Sequence, residues 1–231
     1  MKLFTTVASL FLFFCCKAQT TFEVGAGANP AINQYSYKGE ISRSAYGSVF
    51  SVNPDALVKV DIKNKVGICT GLEYLSKCVS TDYEILENIS GIAKISYRYF
   101  SVPLYVTYNL IPKKHKKFSA GLIAIADFSL LFAERVKVSG FQTLSDHLVD
   151  TTLYYSKGSL NDLHHFAFTV GGGVFAGYNF NSHFNIIAYP FYKVDITEIT
   201  YAGNDHFTYF GIGVSIFYRF KSSGKSISSS H

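Results

Sequence analysis

Phe118-Ser119-Ala120-Gly121-Leu122-Ile123-Ala124-Ile125-Ala126-Asp127-Phe128-Ser129-Leu130-Leu131-Phe132 repeats with a period of two. Phe118, Ala120, Leu122, Ala124, Ala126, Phe128, Leu130 and Phe132 fall on one face of an extended chain. Ser119, Gly121, Asp127 and Ser129 fall on the other, beside Ile123 and Ile125. Successive side chains of a strand point to opposite faces, so the segment reads as a strand with one apolar side. At fifteen residues it exceeds the mean strand of a soluble domain, about 5–6 residues. It is long enough for a tilted membrane strand, which needs about 9–11.

The pattern recurs. Phe166, Phe168, Val170, Val174, Ala176, Tyr178 and Phe180 oppose Ala167, Thr169, Gly171, Gly173, Gly177 and Asn179. Phe210, Ile212, Val214, Ile216, Tyr218 and Phe220 oppose Tyr209, Gly211, Gly213, Ser215 and Arg219. The whole chain yields strands near 21–28, 46–62, 66–79, 95–110, 117–133, 164–180, 184–198 and 207–220, with no helical period between them. An even count closes an antiparallel barrel with both ends at one rim. The connections alternate. Long ones cover 29–45, 80–94, 134–163 and 199–206, and short ones cover 63–65, 111–116 and 181–183. Long extracellular loops and short periplasmic turns are the habit of outer-membrane barrels.

The charges decide which way the barrel faces. Glu23, Lys59, Asp61, Glu73, Asp127, Lys193, Asp195 and Arg219 all lie opposite the apolar stripe. In a soluble lipocalin-like barrel the apolar face would turn inward and the charges would meet water. In lipid the apolar face turns outward, and these eight residues form a structural charge network in the lumen. The expected fold is therefore an all-β, eight-stranded antiparallel transmembrane β-barrel. Eight strands leave an interior that side chains can fill, which argues against an open pore. Pro103 and Pro190, inside strands, mark expected bulges or register shifts. Gly171-Gly172-Gly173 lacks the Lys-Ser/Thr and helix of a phosphate loop and reads as barrel curvature.

Residues 1–18 read as a signal peptide: Lys2, an apolar run from Leu3 to Phe14, and Ala18 before Gln19. As a helix the run spans about 18 Å, short of the roughly 30 Å hydrocarbon core, so a retained anchor fits poorly. Cys15 and Cys16 follow Phe13-Phe14 rather than the small residues that lipoprotein processing requires. The barrel is then assigned to 19–220, and 221–231 to a Ser-rich tail too polar to pack. The expected location is the bacterial outer membrane, with the loops at the cell surface. Losing Lys2 and Lys17 takes the formal charge from +5 to +3, too little to indicate nucleic acid.

No constellation names a reaction. Cys69 and Cys78 lie nine residues apart in one strand, roughly 30 Å, and cannot bridge. No metal-ligand spacing and no cofactor motif occurs, so no metal and no cofactor is expected. His147, His164 and His165 with Asp146, Asp150 and Asp162 could build a rim site, but their spacing is that of a solvated loop. Lys113-Lys114-His115-Lys116-Lys117 is a basic turn that could meet anionic lipid or a partner. The expected partners are outer-membrane lipid, and proteins that meet the loops or the periplasmic turns.

Several short stretches resemble the PorT-like outer-membrane β-barrels of Bacteroidetes-type bacteria. Phe22-Glu23-Val24-Gly25-Ala26-Gly27 is similar to that family's first strand, Gly71-Leu72-Glu73-Tyr74 to its third, and Tyr99-Phe100-Ser101-Val102-Pro103-Leu104 to its fourth. Phe217-Tyr218-Arg219-Phe220 resembles its aromatic-terminated last strand, and Ala18-Gln19 its export signal. Eleven residues follow Phe220, which departs from a barrel that ends at the aromatic. The resemblance implies an integral outer-membrane protein without catalytic residues, of a family whose members are tied to protein export or to no known task; a non-enzymatic structural or loop-mediated interaction role is the leading reading, and an accessory to protein export the second. A lipid-modifying rim enzyme and a secreted lipocalin-like binder are the other readings.

Overall fold

The computed structural model describes residues 20–37, 46–62, 65–86, 89–111, 117–142, 147–156, 164–198 and 205–220. All regular structure among them is β. The strands are β1 (Thr20–Tyr37), β2 (Tyr46–Gly47), β3 (Val49–Ile62), β4 (Val66–Leu86) and β5 (Ile89–Ile111). They continue with β6 (Phe118–Gln142), β7 (His147–Ser156), β8 (Phe166–Asn179), β9 (Phe184–Asp195) and β10 (Asp205–Arg219). Eight of them close a ring in the order β1, β3, β4, β5, β6, β8, β9, β10, with β10 pairing back onto β1. Every pairing is antiparallel. The two remaining strands are additions: β2 pairs the outer part of β4, and β7 folds back on the outer part of β6.

The alternation of burial follows the alternation of sequence. Along β6, Ser119, Ile123, Ile125, Asp127, Ser129 and Leu131 are buried, while Phe118, Leu122, Phe128 and Leu130 are exposed. This barrel is apolar outside and polar inside. Aromatic rings mark both borders of the outer apolar band. Near the rim with the chain ends lie Phe22–Phe220, Phe118–Tyr178 and Phe184–Tyr218, with centroids 5.6, 4.8 and 5.3 Å apart. Near the far rim lie Phe128–Phe168 at 4.9 Å and Phe100–Phe132 at 4.4 Å. Two such girdles around an outward apolar band about 25 Å tall are the dress of a membrane barrel.

Two expectations need correction. Residues 29–37, 80–86, 89–94 and 134–142 were expected in loops, yet β1, β4, β5 and β6 run straight through them. In 29–37 the inner positions Asn29, Ala31 and Asn33 are buried, but the outward ones, Pro30, Ile32, Gln34 and Ser36, mix apolar and polar residues, so the apolar period of two fades while backbone pairing continues. The prolines do not shift register either. β5–β6 pairing passes evenly through Pro103↔Asp127, and β9–β10 pairing passes evenly through Pro190↔Ile212. A proline lacks one N–H and so loses a ladder bond on one side only. The irregularities lie elsewhere, between Arg98 and Tyr99, Asn109 and Ile111, and Glu84 and Leu86.

The barrel interior as candidate functional site

The interior is built in tiers, each set by register. At the rim near the chain ends, β1 places Glu23 between Arg219 of β10 and Lys59 of β3, its direct partners in the two ladders. Arg219 Nε donates to Glu23 Oε1 at 2.8 Å, and Lys59 Nζ approaches Oε2 at 3.2 Å. Lys59 also donates to Asp61 at 3.0 Å, and Asn185 donates to Glu23 at 3.2 Å. Opposite charges on adjacent strands support that register, because a slip of one residue would turn every one of them toward lipid.

In the middle tier, Asp55 of β3 stands directly across from Glu73 of β4. Asn29 holds these two carboxylates together, its Nδ2 donating to Asp55 at 3.0 Å and to Glu73 at 2.9 Å, while Tyr189 donates to Asn29 Oδ1 at 2.7 Å. Lys193 of β9 reaches past β8 to Asp127 of β6 at 2.8 Å. Gly171 opens that path, since a Cβ there would stand 2.8 Å from Lys193 Cγ. Gly213 plays the same part for Tyr189, whose ring a Cβ would strike. Gly213→Val should therefore push Tyr189 off Asn29. We expect a loss of about 1–3 kcal/mol from overpacking, read as a lower urea midpoint for the barrel in lipid vesicles.

The tier toward the far rim is crossed by a strut. Lys77 of β4 meets Asp195 of β9 at 2.7 Å, with both side chains fully buried. In the ring order β4 and β9 are four strands apart, so this ion pair spans the full diameter. Thr169 donates to Asp195 at 2.6 Å and Tyr209 at 3.1 Å, and the Lys77 ammonium lies 4.7 Å from the Tyr99 ring centre. The cavity between Asn53, Asp127, Lys193 and Tyr209 measures about 10 Å³, about what one water molecule needs.

All eight residues singled out in the sequence lie on the inner face, and the structure brings them together in these tiers. Among the described residues three more buried inner charges were missed: Asp55, Lys77 and Asp205. Each shares the parity of a residue that was noticed: Asp55 that of Lys59, Lys77 that of Glu73, Asp205 that of Tyr209. Counting by two would have found them. Asp146 and Asp162 fall outside the described residues, His147 and Asp150 belong to β7, and His164 and His165 precede β8. Among the described residues no group of three His, Cys, Asp or Glu is placed to hold a metal ion. Cys69 and Cys78 are both free. Residues 1–18, 113–116 and 221–231 also lie outside the described residues.

No curated protein matches the chain. Among solved structures it is similar to Neisserial surface protein A, at 14% identity over 84% of this chain and 96% of that one, with a TM-score of 0.43. It is similar to OprG of Pseudomonas aeruginosa, at 11% identity over 89% and 98%, TM-score 0.45. It is also similar to the outer membrane protease OmpT of Escherichia coli, at 9% identity over 87% and 96%, TM-score 0.43. The family model for the outer membrane protein beta-barrel domain matches residues 17–192, and the chain belongs to that family of bacterial outer-membrane barrels.

Proposed function

We propose that this outer-membrane barrel is a non-enzymatic structural or interaction protein that works through what it carries beyond the far rim. The PorT-like resemblance fits this reading, and the inner charges Glu23, Lys59, Asp61, Glu73, Asp127, Lys193, Asp195 and Arg219 are then scaffold rather than catalyst. The observation that carries the proposal is the Lys77–Asp195 strut across the lumen. Below it the Lys193–Asp127 pair and the Asn29 bridge fill the space that a solute would need. What the fold leaves for partners is the wall beyond the band, where β4, β5, β6 and β7 stay paired as a sheet out to Leu86↔Ile89 and Gln142↔His147.

Two measurements test this. Purified barrel in a planar bilayer should give no stable porin-sized conductance steps, and such steps would overturn the filled lumen. An epitope inserted between β6 and β7, at 143–146, should bind antibody on intact cells. One inserted at 112–116 should bind only after permeabilisation. The reverse pattern would place the β4–β7 sheet in the periplasm and overturn display at the surface.

A further inference from the structure

The middle tier of the lumen carries more carboxylates than it has cations to meet. Asp55 of β3 and Glu73 of β4 are direct partners in their ladder, and both are buried. Like charges directly across from each other work against the pairing of two strands. The third carboxylate of the tier, Asp127 of β6, takes the Lys193 ammonium at 2.8 Å. With all three ionised, three negative charges would share one positive charge. The neighbouring tiers hold their cations in balanced pairs. Lys59 and Arg219 are matched by Glu23 and Asp61, and Lys77 by Asp195.

The hydrogen bonds narrow where the excess lies. Asn29 Nδ2 is 3.0 Å from Asp55 Oδ2 and 2.9 Å from Glu73 Oε1, so these oxygens lie within about 6 Å of each other. An amide has two hydrogens, and here each goes to one carboxylate. The Asn29 oxygen is taken by the Tyr189 hydroxyl. Among the described residues, Glu73 Oε2 is buried and receives no hydrogen bond, and the same holds for Asp127 Oδ1. A buried ionised oxygen without a donor is among the costliest groups a fold can hold. The titratable side chains that face the pair are Cys69 on β4, Tyr105 on β5, Asp127 on β6, and Tyr189 and Lys193 on β9. Lys193 is the cation of that set, and Asp127 already engages it.

We propose that the Asp55–Glu73 pair binds one proton, carried on Glu73 Oε2, so that a carboxylic acid and a carboxylate face each other across β3 and β4 at neutral pH. The proton removes the like-charge opposition from the ladder. It also turns an oxygen that lacks a donor into an O–H, which can point to Asp55 or to Asp127 Oδ1. Asn29 then holds acid and carboxylate at once. The junction of β1, β3 and β4 thereby responds to pH: it is whole in neutral medium and loses its proton as the medium turns alkaline.

The test compares wild type with Glu73→Gln, which copies the shape of the acid and carries no charge at any pH. In the unfolded chain both carboxyls would be exposed and would release their protons near about pH 4. Above that, the native barrel binds one proton more than the unfolded chain, so its stability falls as pH rises, until the native pair lets go. In neutral lipid vesicles the unfolding equilibrium constant of wild type, followed in urea, should rise about tenfold per pH unit from about pH 5 upward. Glu73→Gln should abolish that rise; the histidines are common to both proteins and cancel in the comparison. The second readout is the infrared carbonyl band of a protonated carboxyl, taken in detergent without ester groups. It should be present in wild type at neutral pH and absent in Glu73→Gln. Wild type without the band, a band that survives in Glu73→Gln, or equal pH slopes in the two proteins would each overturn the proposal. So would a urea midpoint raised by sodium over an organic cation at equal ionic strength, because a metal ion would then meet the charge. If Glu73→Gln shows no folded band on unboiled gels, Asp55→Asn takes its place. Removing the second charge should likewise flatten the slope and clear the infrared band, and an undiminished slope would overturn the shared proton.

Discussion

Asp195→Ala should lower the unfolding free energy of the barrel by about 3–5 kcal/mol, among the largest effects of any single lumen substitution. Among the described residues Asp195 is the ionic partner of Lys77, which is fully buried. Removing Asp195 strands that ammonium in the interior and leaves the Thr169 and Tyr209 hydroxyls without their acceptor. The loss should come mostly from the stranded charge. The double variant Lys77→Met/Asp195→Leu, which removes both charges, should regain most of the stability. The chain has no tryptophan, so urea unfolding in vesicles is best followed by circular dichroism and by the shift between boiled and unboiled gel bands. A single variant as stable as wild type would show that the strut is not formed.

Leu104→Arg tests the direction in which the barrel faces. Leu104 lies on the outward face of β5, near the middle of the apolar band, between the buried Pro103 and Tyr105 positions. An arginine at the bilayer midplane costs about 2–4 kcal/mol in such barrels. On a barrel surrounded by water the same exposed substitution would change stability by about 0.5 kcal/mol or less. We expect the larger figure in vesicles, measured as above. A change within the smaller range would mean that Leu104 meets water.

Much of this architecture is written in the chain, and the reason is the solvent. Within the band one face of each strand meets lipid and the other meets the packed lumen, so a period of two is imposed on segments such as Phe118–Phe132 and Phe210–Phe220. All eight barrel strands were found there. Past Tyr74, Phe100 and Phe132 the constraint lapses, and the continuation of β4, β5 and β6, together with β7, left no alternation to read. The inner charges were legible by parity, but their partners were not. Glu23 meets Arg219 and Lys59 through direct pairing. Lys77 meets Asp195 only because the ring order sets β4 opposite β9, and that order belongs to the closed barrel rather than to any one segment.

Asp127 has a consequence earlier in the life of the protein, before any strand has paired. Phe118–Ala133 is a run of sixteen residues with a single charge, bracketed by Lys116-Lys117 and Glu134-Arg135. Coiled as a helix it would measure about 24 Å, close to what the translocation channel of the inner membrane releases sideways into lipid. A carboxylate near the centre of such a helix raises the cost of release by about 2.5–3.5 kcal/mol. The side chain that anchors Lys193 in the finished barrel thus also keeps this segment moving through the first membrane, so that it can reach the second.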